Sequence, residues 1–299
     1  MDKWESQDKE SVALHLQDKA VTLPDGKTVP PIGQGTWYMG EDPQKEQAEI
    51  EALRFGLDLG LNVIDTAEMY GEGTAEELVG KALAGRREEA FLVSKVYPHH
   101  AGLEEIEKAC ENSLKRLRTD HLDLYLLHWK GSVPLEETIK GMEKLKKDGK
   151  ILRWGVSNFD TSDMKQLTQL ENGGNCATNQ VLYHLGSRGI EYDLLPWQEK
   201  QQVPIMAYAP LGHGKQQLET FTQHTELKHI AAKQGVKPLQ VVLAWAIRSG
   251  KVFAIPKASS KEHVYENAIA GTIDLDEEDL RLLDQAFPPP TAKQTLDII

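Results

Sequence analysis

Apolar residues follow two rhythms along this chain. Short apolar cores near residues 32–35, 61–65, 90–94, 122–127, 153–156, 177–179, 204–208 and 252–255 read as buried strands. Between them lie longer stretches with apolar positions at helical spacing. In GLEEIEKACENSLKRL, Leu103, Ile106, Cys110, Leu114 and Leu117 share one face and charges fill the other. PLEETIKGMEKLKKDGK opens on a proline suited to a first helical turn and ends at Gly149, a natural C-cap. DTSDMKQLTQLENGG offers Asp160 or Thr161 as its N-cap. Ahead of these, VTLPDGKTVPPIG places two β-prone arms around Pro24-Asp25-Gly26, a hairpin signal.

Eight strands, each followed by a helical segment, predict an α/β fold: a (β/α)8 TIM barrel with an N-terminal β-hairpin. The competing open doubly wound sheet lacks its mark, since no G-x-G-x-x-G follows an early strand with an acid about 20 residues on. The expected division is one domain over 1–299, with a hairpin at about 20–31, the barrel at 32–287 and a tail at 288–299.

Composition acts mainly by exclusion. The 299 residues are 40% hydrophobic and 27% charged, ordinary values for a globular protein. A net charge of −12 argues against a nucleic-acid partner. No apolar run approaches the roughly 20 residues of a membrane span, and the charged start MDKWESQDKE lacks the apolar core of a secretion signal. Cys110 and Cys176 give no disulfide framework and read as packing residues in a reducing compartment. A cytoplasmic protein acting on a small molecule is expected, as a monomer or weak homo-oligomer, without membrane or nucleic-acid partner.

In such barrels the chemistry sits at the C-terminal ends of the strands. Here nearly every strand closes on an ionisable or amide group: Asp65 with Tyr70 on the following loop, Lys95, His128, Ser157-Asn158, Asn179-Gln180, Tyr208 and Lys257. Each has a plain reading alone. Asp65 would be a turn former, His128 a core histidine and Tyr70 packing, and only a buried lysine is unusual in isolation. Together they describe one chemistry. A lysine ammonium would pull the phenol's pKa down, an aspartate would keep that lysine charged, and a neutral imidazole would orient a carbonyl oxygen. The set is a general acid for an oxygen gaining negative charge. It has no activated Ser or Cys and too few ligands for a metal, and the adjacent His99 and His100 are expected to point apart. A Schiff-base lyase using Lys95 is the competing chemistry, disfavoured because Asp65 would hold the amine charged. A cofactor-sensing barrel subunit with little turnover is another alternative.

These residues sit in a set of motifs: GQGTW at 33–37, DTAEMYGEG at 65–73, SK at 94–95, DLYLLHW at 123–129, GVSNF at 155–159, NQ at 179–180, AYAPLG at 207–212 and IPKASSKEHVYEN at 255–267. With them the chain resembles the aldo-keto reductases, NADP(H)-dependent (β/α)8 carbonyl reductases, over about residues 20–285. The resemblance is closest to bacterial members that reduce methylglyoxal and other small aldehydes. It implies reduction of aldehydes and ketones to alcohols by hydride transfer, with Tyr70 as general acid, Asp65 and Lys95 as its tuning pair and His128 orienting the carbonyl. It also implies Ser157, Asn158 and Gln180 on the nicotinamide carboxamide, Tyr208 stacked on that ring, and Trp37 and Trp129 as walls of the substrate pocket with Tyr70 and His128. Gly35, Thr36 and Leu211 would line the cofactor, and Lys257, Ser259, Ser260 and Asn267 would hold its 2′-phosphate and adenine.

Two departures from the family pattern bear on the cofactor. His263 stands where many members have an arginine, so NADPH is expected as cofactor with weaker NADH use. In APLGHGKQQLETF, Lys215 stands where some members carry an acid that pairs with the lysine matched by Lys257. A looser loop and faster cofactor release are expected. The tail PPPTAKQTLDII is either folded over the pocket or solvated.

Overall fold

The computed structural model describes residues 6–299. Its centre is a parallel sheet of eight strands hydrogen-bonded in chain order. These are β3 (Gln34–Gly35), β4 (Val63–Asp65), β5 (Phe91–Val96), β6 (Leu124–Leu127), β7 (Trp154–Ser157), β8 (Asn179–Leu182), β9 (Ile205–Tyr208) and β10 (Val252–Ala254). β3 and β10 close on each other: Gly33 N donates to Ala254 O at 2.8 Å and Gly35 N to Pro256 O at 3.1 Å. Gly35 permits that approach, because a Cβ there would lie 2.7 Å from the Ile255 carbonyl oxygen. The eight strands thus form the expected barrel.

Helices α2 (Glu46–Asp58), α3 (Thr74–Ala82), α4 (Glu105–Leu117), α5 (Leu135–Lys147), α6 (Thr161–Gln169), α7 (Leu194–Gln201), α8 (Lys215–Gln223), α9 (Thr225–Gln234), α10 (Pro238–Ile247), α11 (Lys261–Ala270) and α12 (Glu277–Ala286) follow the strands. α6 starts where its cap residues dictate: Asp160 Oδ1 accepts from Thr161 N at 2.7 Å, and Asp163 Oδ2 accepts from Asp160 N at 3.2 Å. α4 buries Ile106, Cys110, Leu114 and Leu117 as the spacing predicts. Leu103 differs. It lies ahead of the first helical residue, in a turn held by Glu137 Oε1 on its N–H at 3.1 Å, and is 40% exposed. β8 also runs further than expected, to Leu182, because all four of its residues pair with β9.

The hairpin β1 (Val21–Thr22) and β2 (Thr28–Val29) pairs antiparallel, Val21 opposite Val29. Its Val21, Leu23 and Val29 pack on Val63, Phe91, Leu124 and Phe253 inside the barrel, at the N-terminal ends of the strands. It plugs the end opposite the expected site. A helix α1 (Ser6–Asp18), unanticipated in the sequence, precedes the hairpin. It buries Val12 and Leu16, and Leu16 fills the space beside Gly271. With so few apolar positions turned inward its periodicity is faint. No helix among the described residues is long and apolar enough to cross a membrane.

Candidate active site

Strand alternation decides which groups reach the mouth of the barrel. Phe91 and Val93 pack inside it while Leu92 packs outward against the helices, so Lys95 continues the inward row. By the same count Val63 leads to Asp65, and Leu124 and Leu126 lead to His128. Tyr70 comes from a tight turn, Tyr70–Gly73, that follows β4.

Four of these groups meet in one buried cluster. Lys95 Nζ donates to Asp65 Oδ2 at 2.7 Å, to Thr66 O at 2.9 Å and to Tyr70 Oη at 2.9 Å. All three ammonium protons are committed inside the protein, and no amine lone pair is presented to a substrate, which counts against imine chemistry. The other Asp65 oxygen, Oδ1, accepts from Gln180 Nε2 at 2.8 Å. Thr36 Oγ1 donates to the Asp65 carbonyl at 2.9 Å. Burial pushes the Asp65 carboxyl up and the Lys95 ammonium down, and the ion pair between them opposes both.

The expectation of a depressed Tyr70 pKa is not met. Burial, and secondarily the Asp65 charge, hold the phenol well above its ordinary value. The Lys95 proton on Oη favours the phenolate, but loss of water around the phenol outweighs it. Tyr70 is therefore a protonated phenol. Because Lys95 already supplies one hydrogen to Oη, the phenol's own O–H is left to point into the cavity.

His128 is pushed down to about 2 by burial and then by the Lys95 charge, so its imidazole is neutral. Its Nδ1 is buried without a protein partner. An unpaired N–H costs more to bury than an unpaired acceptor, so the proton belongs on Nε2. The His128 ring meets the Tyr70 ring edge-on at 5.8 Å between centroids.

Around this floor lies a cavity of about 450 Å³ walled by Trp37, Met69, Trp129, Ile298 and Ile299. The tail therefore folds back so that its last two residues line the pocket, while most of its length stays exposed. Ser187 Oγ donates to Asp297 Oδ2 at 2.5 Å, and Lys293 pairs with Asp160 at 2.5 Å and Asp193 at 2.9 Å. On its polar side Ser157, Asn158, Gln180 and Tyr208 come together, but bonded to the protein: Ser157 Oγ donates to Gln180 O at 2.8 Å, Asn158 Nδ2 to His128 O at 3.2 Å, and Tyr208 Oη to Asn158 Oδ1 at 3.0 Å. Gln180 keeps only its oxygen free.

A second cavity, about 630 Å³, shares Trp37, Tyr70 and Tyr208 with the first and runs outward past Gly35, Thr36 and Leu211 to Lys257, His263 and Asn267. Ser259 and Ser260 are not on its walls. Ser260 caps α11, its Oγ accepting from His263 N at 3.4 Å. Lys215 pairs instead with Glu219 at 3.6 Å and is almost fully exposed. His99 and His100 do not diverge as expected; their rings lie 4.2 Å apart, with His100 Nδ1 3.1 Å from Glu68 Oε1. The described residues hold no group of three or more His, Cys, Asp or Glu placed to bind a metal.

Sequence reasoning missed several residues. Glu76, fully buried, accepts from Ser94 Oγ at 2.6 Å and Arg116 Nε at 2.5 Å, tying β5 to α3 and α4 beside Lys95. The Gln180–Asp65 contact joins positions 115 apart and leaves no local signal. At the far end of the channel Glu266 pairs with Lys237, and Gln240 Nε2 donates to Glu266 O at 2.9 Å. Glu266 adjoins Asn267 in the 255–267 motif, which is signal enough to find it.

Residues 31–287 match the family model described as the aldo/keto reductase family. Methylglyoxal reductase YeaE of Escherichia coli is 52% identical over 284 residues, which are 95% of this chain and all of that protein. Glyoxal reductase of Bacillus subtilis is 33% identical over 267 residues, 88% of this chain and 91% of that one. A crystal structure of an aldo/keto reductase from Klebsiella pneumoniae in complex with NADP and acetate superimposes with a TM-score of 0.92 at 54% identity, covering 94% of this chain and 99% of that one.

Proposed function

The chain belongs to the aldo/keto reductase family, and from that premise we propose that it reduces small aldehydes and α-dicarbonyls such as methylglyoxal to alcohols with NADPH, Tyr70 supplying the proton. The observation that carries this is the triple commitment of Lys95 Nζ, which leaves the Tyr70 hydroxyl with one free hydrogen facing the cavity.

The channel fits a dinucleotide on its own features. Gly35 and Thr36 line its wall, amide and hydroxyl groups stand at the inner end, and Lys257 and His263 stand at the outer end. Ser157, Asn158 and the free oxygen of Gln180 would hold the nicotinamide carboxamide, Tyr208 would flank the ring, and Lys257 with His263 would meet the 2′-phosphate. Gly35, Thr36 and Leu211 would line the cofactor, and Asn267 would meet the adenine. Bound there, NADPH would supply the hydride for the carbonyl carbon. His128, neutral with its proton on Nε2, donates to the carbonyl oxygen and orients it. Tyr70 Oη gives its hydrogen to that oxygen as charge grows on it. The phenolate left behind already holds the Lys95 N–H at 2.9 Å, so its charge is compensated without rearrangement. Asp65 keeps Lys95 protonated, and Gln180 keeps Asp65 ionised by satisfying its second oxygen. Trp37 and Trp129 exclude water from the reacting atoms.

One imidazole in place of a guanidinium leaves Lys257 as the fixed cation at the outer end, so NADPH is preferred and NADH is used detectably. The decisive measurement is Tyr70→Phe. Loss of a positioned acid is expected to lower carbonyl-reducing turnover by about 10²–10⁴ while NADPH still binds. Wild-type turnover in that variant would remove Tyr70 from the role. Activity of the unmodified protein across a panel of aldehydes, ketones and sugars, followed by NADPH absorbance, then ranks the substrates.

A further inference from the structure

Outside the barrel wall, behind the buried floor, lies a second ion pair that the reaction as described does not use. Glu76, in the first turn of α3, is fully buried, and its two oxygens reach two different elements. Oε1 accepts from Ser94 Oγ at 2.6 Å, and Oε2 accepts from Arg116 Nε at 2.5 Å. Ser94 precedes Lys95 on β5, so strand alternation turns it away from the barrel interior while Lys95 points in. Holding Ser94 on the outside therefore fixes the rotation of the strand that aims Lys95 Nζ.

The arginine reaches the turn that carries Tyr70. A Cβ on Gly73 would lie 2.6 Å from Arg116 Cδ and 2.7 Å from its Nε, so the arginine side chain is packed against the last residue of the Tyr70–Gly73 turn. Gly80 of α3 permits the same approach, since a Cβ there would lie 2.7 Å from the Arg116 carbonyl oxygen. The turn needs such support. Gly71, Glu72 and Gly73 follow Tyr70 with φ of 55°, 53° and 97°, three left-handed residues in a row, and Glu72 lacks a glycine's freedom to stay there. A backbone of this kind persists where its surroundings over-determine it.

We propose that Glu76 and Arg116 are positioning residues, a brace outside the barrel that holds the Tyr70 turn against the Lys95 strand and so sets the 2.9 Å contact between Tyr70 Oη and Lys95 Nζ. This rests on the reading of Tyr70 as the proton donor of an NADPH-dependent reductase. Neither residue lines the substrate cavity or the dinucleotide channel, so the brace acts through Tyr70 and Lys95. Burial lowers the Lys95 pKa, and the Glu76 charge works beside that of Asp65 against this shift. Asp65 holds the lysine from inside the barrel and Glu76 from outside.

The test is the double variant Glu76→Gln with Arg116→Ala, read by single-turnover oxidation of bound NADPH at saturating methylglyoxal. Removing both charges strands neither, and the glutamine can still accept from Ser94. In this experiment the amplitude counts folded, cofactor-loaded molecules, and the rate constant reports the reacting geometry. Loss of the brace should lower the rate constant roughly 10- to 100-fold with NADPH affinity unchanged, because the step is steep in the placement of the acid. A residue that merely stabilises the fold would change the amplitude and the melting temperature but not the rate constant. Arg116→Lys, which keeps a cation for Glu76 and a methylene stem beneath Gly73, should return the rate constant close to wild type. Glu76→Gln alone stands in for a double variant that does not fold, and should slow the same step roughly two- to tenfold. A wild-type rate constant in the double variant, or in Glu76→Gln where it stands in, overturns the brace and leaves the reductase reading intact. An Arg116→Lys variant as slow as the double variant overturns it too. A wild-type protein that transfers no hydride from NADPH to methylglyoxal or to any of a panel of aldehydes overturns that reading and the brace with it.

Discussion

The two ends of the channel are built on opposite principles. At the barrel mouth Lys95 and Asp65 are buried, and the three protons of one and both oxygens of the other have named partners. At the outer end Lys257 and His263 are exposed, and among the described residues neither forms an ion pair through its side chain. In a low-dielectric floor a removed partner strands a charge, whereas at a solvated rim water and salt take over most of the lost interaction. The floor should therefore be intolerant of change and the rim adjustable.

Lys95→Met breaks the comparison most directly. It leaves the Asp65 carboxyl buried without its cation, and the cost expected is about 3–5 kcal/mol of stability together with a loss of turnover of about 10² or more. Thermal or urea unfolding and turnover of the same variant check both. A variant that kept wild-type stability would show that the floor is more hydrated than its geometry implies.

The histidines of the interior sharpen it at a smaller scale. Burial pushes His128 down to about 2 and His184 down to about 4, so both stay neutral in the fold while the unfolded chain takes up protons below about 6.5. The unfolded state then binds more protons, and stability falls as pH drops from about 6.5 toward 4. Between pH 6.5 and 5 the cofactor-free protein should lose about 2–3 kcal/mol, and His184→Gln should remove roughly half of that dependence. Denaturant melts at the two pH values test it; a flat response would contradict the burial of both rings.

The smallest effect is expected at the rim. His263→Arg adds a cation to an exposed site, and an increase in NADPH affinity of up to about fivefold is expected, with little change for NADH. Fluorescence titration with each cofactor decides it, and equal tightening of both would detach His263 from the 2′-phosphate.

Much of the fold and of the floor is legible in the amino-acid sequence. The barrel follows from eight short apolar cores separated by amphipathic stretches, and the meeting of Asp65, Lys95 and His128 follows from period-two alternation along β4, β5 and β6. Both are local rules acting on neighbouring residues. Tyr70 is legible as a loop residue next to such a strand end. The outer end is less so: Ser259 and Ser260 follow Lys257 in sequence, yet the α11 cap turns them off the channel wall.

What the chain determined by itself was the order of elements and the strand end each polar group occupies, because burial pattern and caps are set within a few residues. Tertiary structure alone decided how those groups act on one another. The sign of the Tyr70 shift depends on how much water the closed barrel excludes. The Gln180–Asp65 bond and the His213–Trp37 stack depend on where loops far apart in sequence come to rest. Desolvation and long-range contact are sums over the whole packed molecule, and no window of sequence contains them.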